Sequence, residues 1–231
     1  MKAHGIPWHL RFRRASLRLI FRQVFRALYQ IRITGKENVP VQGAYLIAHN
    51  HVSIVDPSVI ISFWPVSIQA IGAVELWRRP GQNWLVKMYG TLPVNRGEMD
   101  RQFIEGAVNA LHAGLPLLIA PEGTRSHVPG MGRANPGIAY LVDRAQTPVL
   151  PVGVIGNTDD NLKLALKGKR PPLEMWIGPL FHLPPLEGQG TARREARQRN
   201  ADLVLERVAE LLPEDYQGFY AQHRHPHRET A

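Results

Sequence analysis

The run Asn50-His51-Val52-Ser53-Ile54-Val55-Asp56 holds the pair of side chains best suited to moving a proton. An imidazole accepts a proton near neutral pH, and a carboxylate bonded to its other ring nitrogen fixes the tautomer and stabilises the cation that forms. On a regular helix, side chains five positions apart diverge by about 140°, so His51 and Asp56 meet only if the chain turns between them. Asp56 before Pro57 also reads as a helix N-cap followed by the first helical residue, which is a purely structural use of the carboxylate. His51 on its own would read as a structural histidine.

A second candidate, Pro121-Glu122-Gly123-Thr124-Arg125-Ser126, directly follows the apolar run LPLLIA at 115–120. The end of a buried strand in an α/β sheet is where ligands tend to bind. Gly123 lets backbone amides approach an anion, Thr124 and Ser126 add hydroxyl donors, and Arg125 can grip a phosphate through two hydrogen bonds. The segment lacks the lysine of a nucleotide P-loop, which argues against ATP, and no G-x-S-x-G elbow surrounds Ser126. A third segment, Gly90-Thr91-Leu92-Pro93-Val94-Asn95-Arg96-Gly97, offers another arginine in a glycine-bounded turn. Taken singly, the second and third segments also read as ordinary surface turns.

These segments must be held by a scaffold. Patterning predicts strands at 31–34, 44–48, 66–73, 115–120, 148–156 and 174–180, and helices at 57–64, 75–89, 99–113, 134–145 and 191–211. The alternation argues for an α/β fold: a single layered domain with a mostly parallel or mixed central sheet flanked by helices. Residues 157–172 read as a surface excursion. Between Trp8 and Tyr29 the period is helical, with Leu10, Leu17, Ile20, Phe21, Val24 and Leu28 in an arc of about 100° and Arg11, Arg14, Arg18, Arg22 and Arg26 in an adjacent arc of about 120°. The expected layout is a basic amphipathic helix over 1–30, the main domain over 31–215 and a polar tail over 216–231.

Composition narrows the class. The 231 residues are 44% apolar, enough for a sizeable core, and contain no cysteine, which excludes disulfides, thiolate metal sites and cysteine nucleophiles. Lysine and arginine total 28 against 19 acidic residues, and the nine cations before Glu37 account for the whole excess. A cationic amphipathic helix suits an anionic membrane surface, where each cation contributes about 1 kcal/mol. The alternative is a helix docked on its own core with solvated arginines. Arginine recurs too often for a membrane span, and neither a reading helix nor basic residues interleaved with stacking aromatics points to nucleic acid. His223, His225 and His227 alternate with Arg and Pro near the terminus and read as a solvated tail rather than a metal site.

Taken together, Asn50-His51-x4-Asp56, Gly90-x-Leu92-Pro93-Val94-x-Arg96, Pro121-Glu122-Gly123-Thr124-Arg125-Ser126 and the strand Val149-Leu150-Pro151-Val152 resemble the four ordered blocks of the glycerolipid acyltransferases, lysophosphatidate acyltransferases among them. The resemblance covers about 31–156. The family often carries a Phe-Lys-x-Gly segment after its third block, where this chain reads Arg133-Ala134-Asn135-Pro136-Gly137. The resemblance implies transfer of a fatty acyl group from acyl-CoA or acyl carrier protein to the hydroxyl of lysophosphatidate or another lyso-lipid. It implies His51 and Asp56 as the catalytic pair. Arg96, Gly123, Thr124 and Arg125 would hold the acceptor's phosphate, and Glu122 would orient the loop or a lipid hydroxyl. The fourth block would shape an acyl channel. No metal or organic cofactor is implied, because the thioester carries the activation. Association with the cytoplasmic face of a membrane, peripheral or monotopic, is the matching expectation. Rival readings are a hydrolase that uses His51 on water and a catalytically inactive lipid-binding module.

Overall fold

The computed structural model describes residues 6–95 and 100–221. Arg96 and the tail histidines 223, 225 and 227 fall outside that range. In chain order the strands are β1 (Gln30–Thr34), β2 (Leu46–His49), β3 (Gln69–Ala73), β4 (Leu92–Val94), β5 (Leu117–Ile119), β6 (Val149–Ile155) and β7 (Pro172–Ile177). The helices are α1 (Trp8–Leu28), α2 (Asp56–Phe63), α3 (Gln82–Tyr89), α4 (Arg101–His112), α5 (Gly137–Ala145), α6 (Asp159–Leu166), α7 (Gly190–Ala209) and α8 (Glu214–Gln217).

Side-chain alternation dictates the layering. In β2, Leu46 and Ala48 join one apolar cluster and Ile47 the other; β5 divides in the same way between Leu117 and Leu118. Strands buried on both faces need helices on both. One cluster is completed by α4, α5 and α7 through Ala107, Ile138 and Leu205, the other by α1, α2 and α6 through Phe25, Ile60 and Ala165. The sheet order is β1-β7-β6-β2-β5-β3-β4, and every neighbouring pair is parallel except β6 with β7. This is the α/β domain with a mixed sheet that the pattern predicts.

Four local expectations are corrected. The helix expected over 75–89 is interrupted: Val74–Arg78 is a 3₁₀ segment, and α3 starts only after Pro80 and Gly81, whose φ is +77°. The turn expected over 90–97 contains β4. The surface excursion contains α6, started by Thr158, whose hydroxyl accepts the Asn161 N–H at 3.2 Å ahead of Asp159 and Asp160 in the first turn. The tail expected over 216–231 fails at its start, where Tyr216 and Tyr220 are buried in the core; its residues from 222 on lie outside the described residues.

The largest correction concerns α1. Three of its five row arginines, Arg14, Arg18 and Arg22, face the domain, while Arg11 and Arg26 are exposed. Arg14 is 1% exposed; its Nε donates to Tyr89 O at 2.9 Å, and its Nη2 donates to Gln69 Oε1 at 2.7 Å and Gly90 O at 3.2 Å. Arg18 donates to Trp64 O, and Arg22 Nε to Ser62 O at 2.8 Å. These carbonyls belong to the last turns and C-caps of α3 and α2, where no intrahelical donor is available and a cation is favoured. Leu17 and Phe25 are buried beside them, while Trp8 and Phe12, at 79% and 69%, and Leu19, Ile20 and Val24 are left exposed. The helix therefore docks through part of its apolar arc and much of its arginine arc, and turns outward the rest of that apolar arc, Ile20 and Val24, together with Trp8, Phe12 and Leu19. Among the described residues, no helix is long and apolar enough to cross a membrane.

Candidate active site

Parallel pairing brings the blocks to one edge. β2 lies between β5 and β6, with Ala48 opposite Ile119 and His49 opposite Val152. The first block therefore leaves the carboxyl end of β2 next to the third block, which leaves β5, and next to the Gly156-Asn157 turn, which leaves β6. β4, the strand preceding Arg96, points the same way at the sheet's far edge.

After β2 the chain does turn between His51 and Asp56. His51 Nδ1 lies 3.0 Å from Asp56 Oδ2. The same oxygen accepts the Val52 and Ser53 N–H groups at 2.9 Å each, and Oδ1 accepts Asn157 Nδ2 at 2.7 Å. Asp56 is fully buried, and each of the other contacts is an N–H donor. The carboxylate therefore serves as acceptor throughout, so the neutral form of the His51 ring carries its proton on Nδ1 and its lone pair on Nε2. Asp56 opens α2, yet its side chain reaches back to the preceding loop, and the cap position is Val55 with no side-chain cap bond. The simple N-cap reading of Asp56 does not describe it.

Two neighbours stiffen the loop. Buried Asn50 bonds the β6 backbone in both directions, Nδ2 to Val154 O at 2.9 Å and Oδ1 from Val154 N at 2.8 Å. His49 is also buried, its Nδ1 2.7 Å from Asn50 O, and its ring meets that of His51 edge-on at 5.6 Å. Burial, aided by the neighbouring His51, lowers its pKa to about 4, so at neutral pH it is an uncharged imidazole. His49, His51 and Asp56 form the one cluster among the described residues with the make-up of a metal site. Both Asp56 oxygens and His49 Nδ1 are engaged within the protein.

The third block clamps this loop. Glu122 Oε1 accepts the His51 N–H and Oε2 accepts the Gly132 N–H, both at 2.8 Å, and the Ser126 N–H donates to His51 O at 2.9 Å. Burial pushes the Glu122 carboxyl up, opposed by those two N–H bonds. Gly123 takes φ +74°, which favours glycine, while the nearest atom to an added Cβ would be 4.0 Å away. Gly123 and Thr124 are exposed. Arg125 is half-buried and forms no hydrogen bond or ion pair with another described residue. Beyond the block, where the family often has Phe-Lys-x-Gly, Arg133 turns to Asp202 on α7 at 3.0 Å, and Asn135 Oδ1 accepts the Gly137 N–H at 2.8 Å where α5 begins.

A sequence profile described as Acyltransferase matches residues 30–155, more than half of the chain. The chain belongs to the acyltransferase family. It is 29% identical over 190 residues to a 1-acyl-sn-glycerol-3-phosphate acyltransferase of Pseudomonas aeruginosa, covering 80% of this chain and 70% of that protein. A protein of the same description from Borreliella burgdorferi is 26% identical over 125 residues, 53% of this chain and 50% of its own length. The fold matches the crystal structure of the 1-acyl-sn-glycerophosphate (LPA) acyltransferase PlsC from Thermotoga maritima with a TM-score of 0.62 at 20% identity, over 87% of this chain and 83% of that one.

In this acyltransferase an apolar cavity of about 130 Å³ adjoins the first block, lined among others by Leu17 and Phe21 of α1, Ile54, Pro57 and Ile61, and Leu85 of α3. No residue of β6 lines it, and Pro151 is not among its walls. A larger groove of about 600 Å³ beside α7 is lined by Arg133, Asp202 and Tyr220 and shares no residue with the histidine–aspartate pair. Patterning missed His49 and Asn157. The one signal for Asn157 was its position just past the carboxyl end of a strand.

Proposed function

We propose that this acyltransferase moves a fatty acyl group from an acyl-CoA or acyl carrier protein thioester to the free hydroxyl of lysophosphatidate, yielding phosphatidate. The observation that carries the reading is the His51–Asp56 contact of 3.0 Å inside a shell of N–H donors. His51 Nε2 takes the proton of the acceptor hydroxyl as its oxygen attacks the thioester carbonyl. Collapse of the tetrahedral intermediate forms the ester and expels the thiolate, to which the imidazolium returns the proton. Asp56 stabilises that imidazolium. General-base catalysis of this kind contributes about 10²–10⁴-fold, and orientation of the two substrates supplies more.

Arg125 and Arg96 are assigned to the acceptor's phosphate, with Gly123 and Thr124 beside it. Glu122, tied at both oxygens to backbone, orients the loop. The apolar cavity beside Ile54 and Pro57 suits the acyl chain nearest the reacting carbonyl. The exposed Trp8, Phe12, Leu19 and Ile20 of α1 suit the acyl boundary of an anionic membrane, where the one-chain acceptor resides. The thioester carries the activation, so the scheme contains no metal or organic cofactor.

The test is purified protein with radiolabelled lysophosphatidate and each thioester donor. Phosphatidate formation is expected, with His51→Ala reducing it by about 10²–10⁴-fold while the fold is retained. Free fatty acid without phosphatidate would instead make the protein a hydrolase, and product from a different lyso-lipid alone would reassign the acceptor.

A further inference from the structure

Asp56 presents two oxygens, and the first block accounts for only one. Oδ2 is held by His51 and by two neighbouring backbone amides, whereas Oδ1 is held by Asn157 Nδ2 at 2.7 Å. Asn157 lies two residues past β6, outside all four blocks, and is fully buried. The turn that carries it is fixed on every side. Gly156 takes φ +81°, and an added Cβ there would sit 2.3 Å from Pro172 O. Its N–H donates to Tyr216 Oη at 2.9 Å, and its carbonyl accepts Asn161 Nδ2 at 3.1 Å.

Within that turn the Asn157 amide is used at one end only. Its Oδ1 is buried with no hydrogen-bond partner among the described residues. An unmet buried acceptor is destabilising, so a side chain retained for packing alone would be better without the amide. The polarity serves the bond to Asp56. A carboxylate anchored at one oxygen can still rotate about its Cβ–Cγ bond, and a donor on the second oxygen stops that rotation.

We propose that Asn157 is a positioning residue for the histidine–aspartate pair, anchoring Asp56 Oδ1 so that Oδ2 stays aligned with His51 Nδ1. It acts through Asp56 and contacts neither substrate. The inference rests on the dyad reading above, so His51→Ala is measured beside it.

Steady-state kinetics of Asn157→Ala, Asn157→Asp and His51→Ala, with melting curves, separate the two. Asn157→Ala is expected to lower kcat by about 10- to 100-fold, the effect of a hydrogen bond to a charged group, with KM for both substrates within about twofold. Asn157→Asp keeps the shape but donates only when its new carboxyl is protonated. Its activity relative to wild type should rise as the pH is lowered from about 8.5 to about 6, while the Asn157→Ala ratio stays flat. A structural asparagine would give neither the kcat-only loss nor that pH trend. If Asn157→Ala and Asn157→Asp turn over within twofold of wild type while His51→Ala is dead, the Asn157 assignment falls alone. An active His51→Ala removes the dyad reading itself. Should Asn157→Ala fail to fold, a flat pH ratio for Asn157→Asp overturns the proposal.

Discussion

The two ends of α2 apply one rule with opposite charges. An eight-residue helix leaves unpaired N–H groups at its start and unpaired carbonyls at its end, and its dipole favours an anion at the first and a cation at the second. At the start stands Asp56, fully buried in the first turn, its side chain held by the Val52 and Ser53 N–H groups of the preceding loop with Asn157 behind it. At the end, Arg22 and Arg18 reach Ser62 O and Trp64 O from α1, 40 and 46 residues earlier in the chain. Short side chains and local backbone fix a position; long side chains from a separate helix make an attachment. The first end suits a group that must be aligned, and the second suits an element that must be held against the domain.

Breaking the first end should have the largest effect. Asp56→Asn removes the charge that stabilises the His51 imidazolium, and we expect kcat to fall by about 10²–10⁴-fold with KM little changed. The fold should persist, because the new amide oxygen can accept the loop N–H groups. Asn157 can flip so that its unused Oδ1 meets the new NH2. Kinetics with thermal melts check both halves, and collapse of the fold would show that the charge is structural.

Breaking the second end should affect stability more than chemistry. The double substitution Arg18→Ala, Arg22→Ala leaves two carbonyls without donors, a loss of about 2–3 kcal/mol by urea denaturation. Turnover per folded molecule should stay within a few-fold. A kcat that falls in step with stability would mean that the two ends of α2 are mechanically coupled.

The contrast also explains what the sequence disclosed. The strand–helix alternation was legible from local spacing, whereas the dyad and the third block, ambiguous singly, were legible through the order and spacing they share with a known family. The seating of α1 was not. A period of 3.6 tells which residues share a face but not what that face will meet, and Arg14 and Leu17 lie only about 60° apart on the helix. What decided the docking face was carbonyls on α2 and α3, distant in sequence and without any side-chain pattern. Asn157 escaped for a related reason, since an amide after a strand carries no chemical signature until the fold sets it 2.7 Å from Asp56. The α6 helix was legible in principle from Thr158-Asp159-Asp160, but lysines and prolines around it suggested a loop.

The outward face of α1 gives a third, smaller effect. Phe12→Ser with Leu19→Ser removes two exposed apolar side chains. Binding to anionic vesicles should weaken by about 10- to 100-fold, from the apolar area no longer buried in the interface. Stability should move by less than about 0.5 kcal/mol, as for most surface substitutions. Unchanged sedimentation with vesicles would assign the exposed face to something other than lipid.

The smallest effect is expected at Glu122, and its sign with pH is the informative part. Burial holds this carboxyl above the usual range, so the folded chain binds its proton more tightly than the unfolded chain. The stability contributed by that proton is present at low pH and lost as pH rises through the folded pKa. Glu122→Gln cannot ionise, so its stability relative to wild type should be more favourable at about pH 8 than at about pH 5. Near neutrality the net change should be within about 1 kcal/mol, because relief of the buried charge offsets the one acceptor that glutamine lacks. Activity should still fall several-fold, since an NH2 group now faces either the His51 or the Gly132 N–H and loosens the clamp between the two loops. Melting at the two pH values reads the sign directly. A variant relatively more stable at the acidic end would mean that the two N–H bonds, rather than burial, govern this carboxylate.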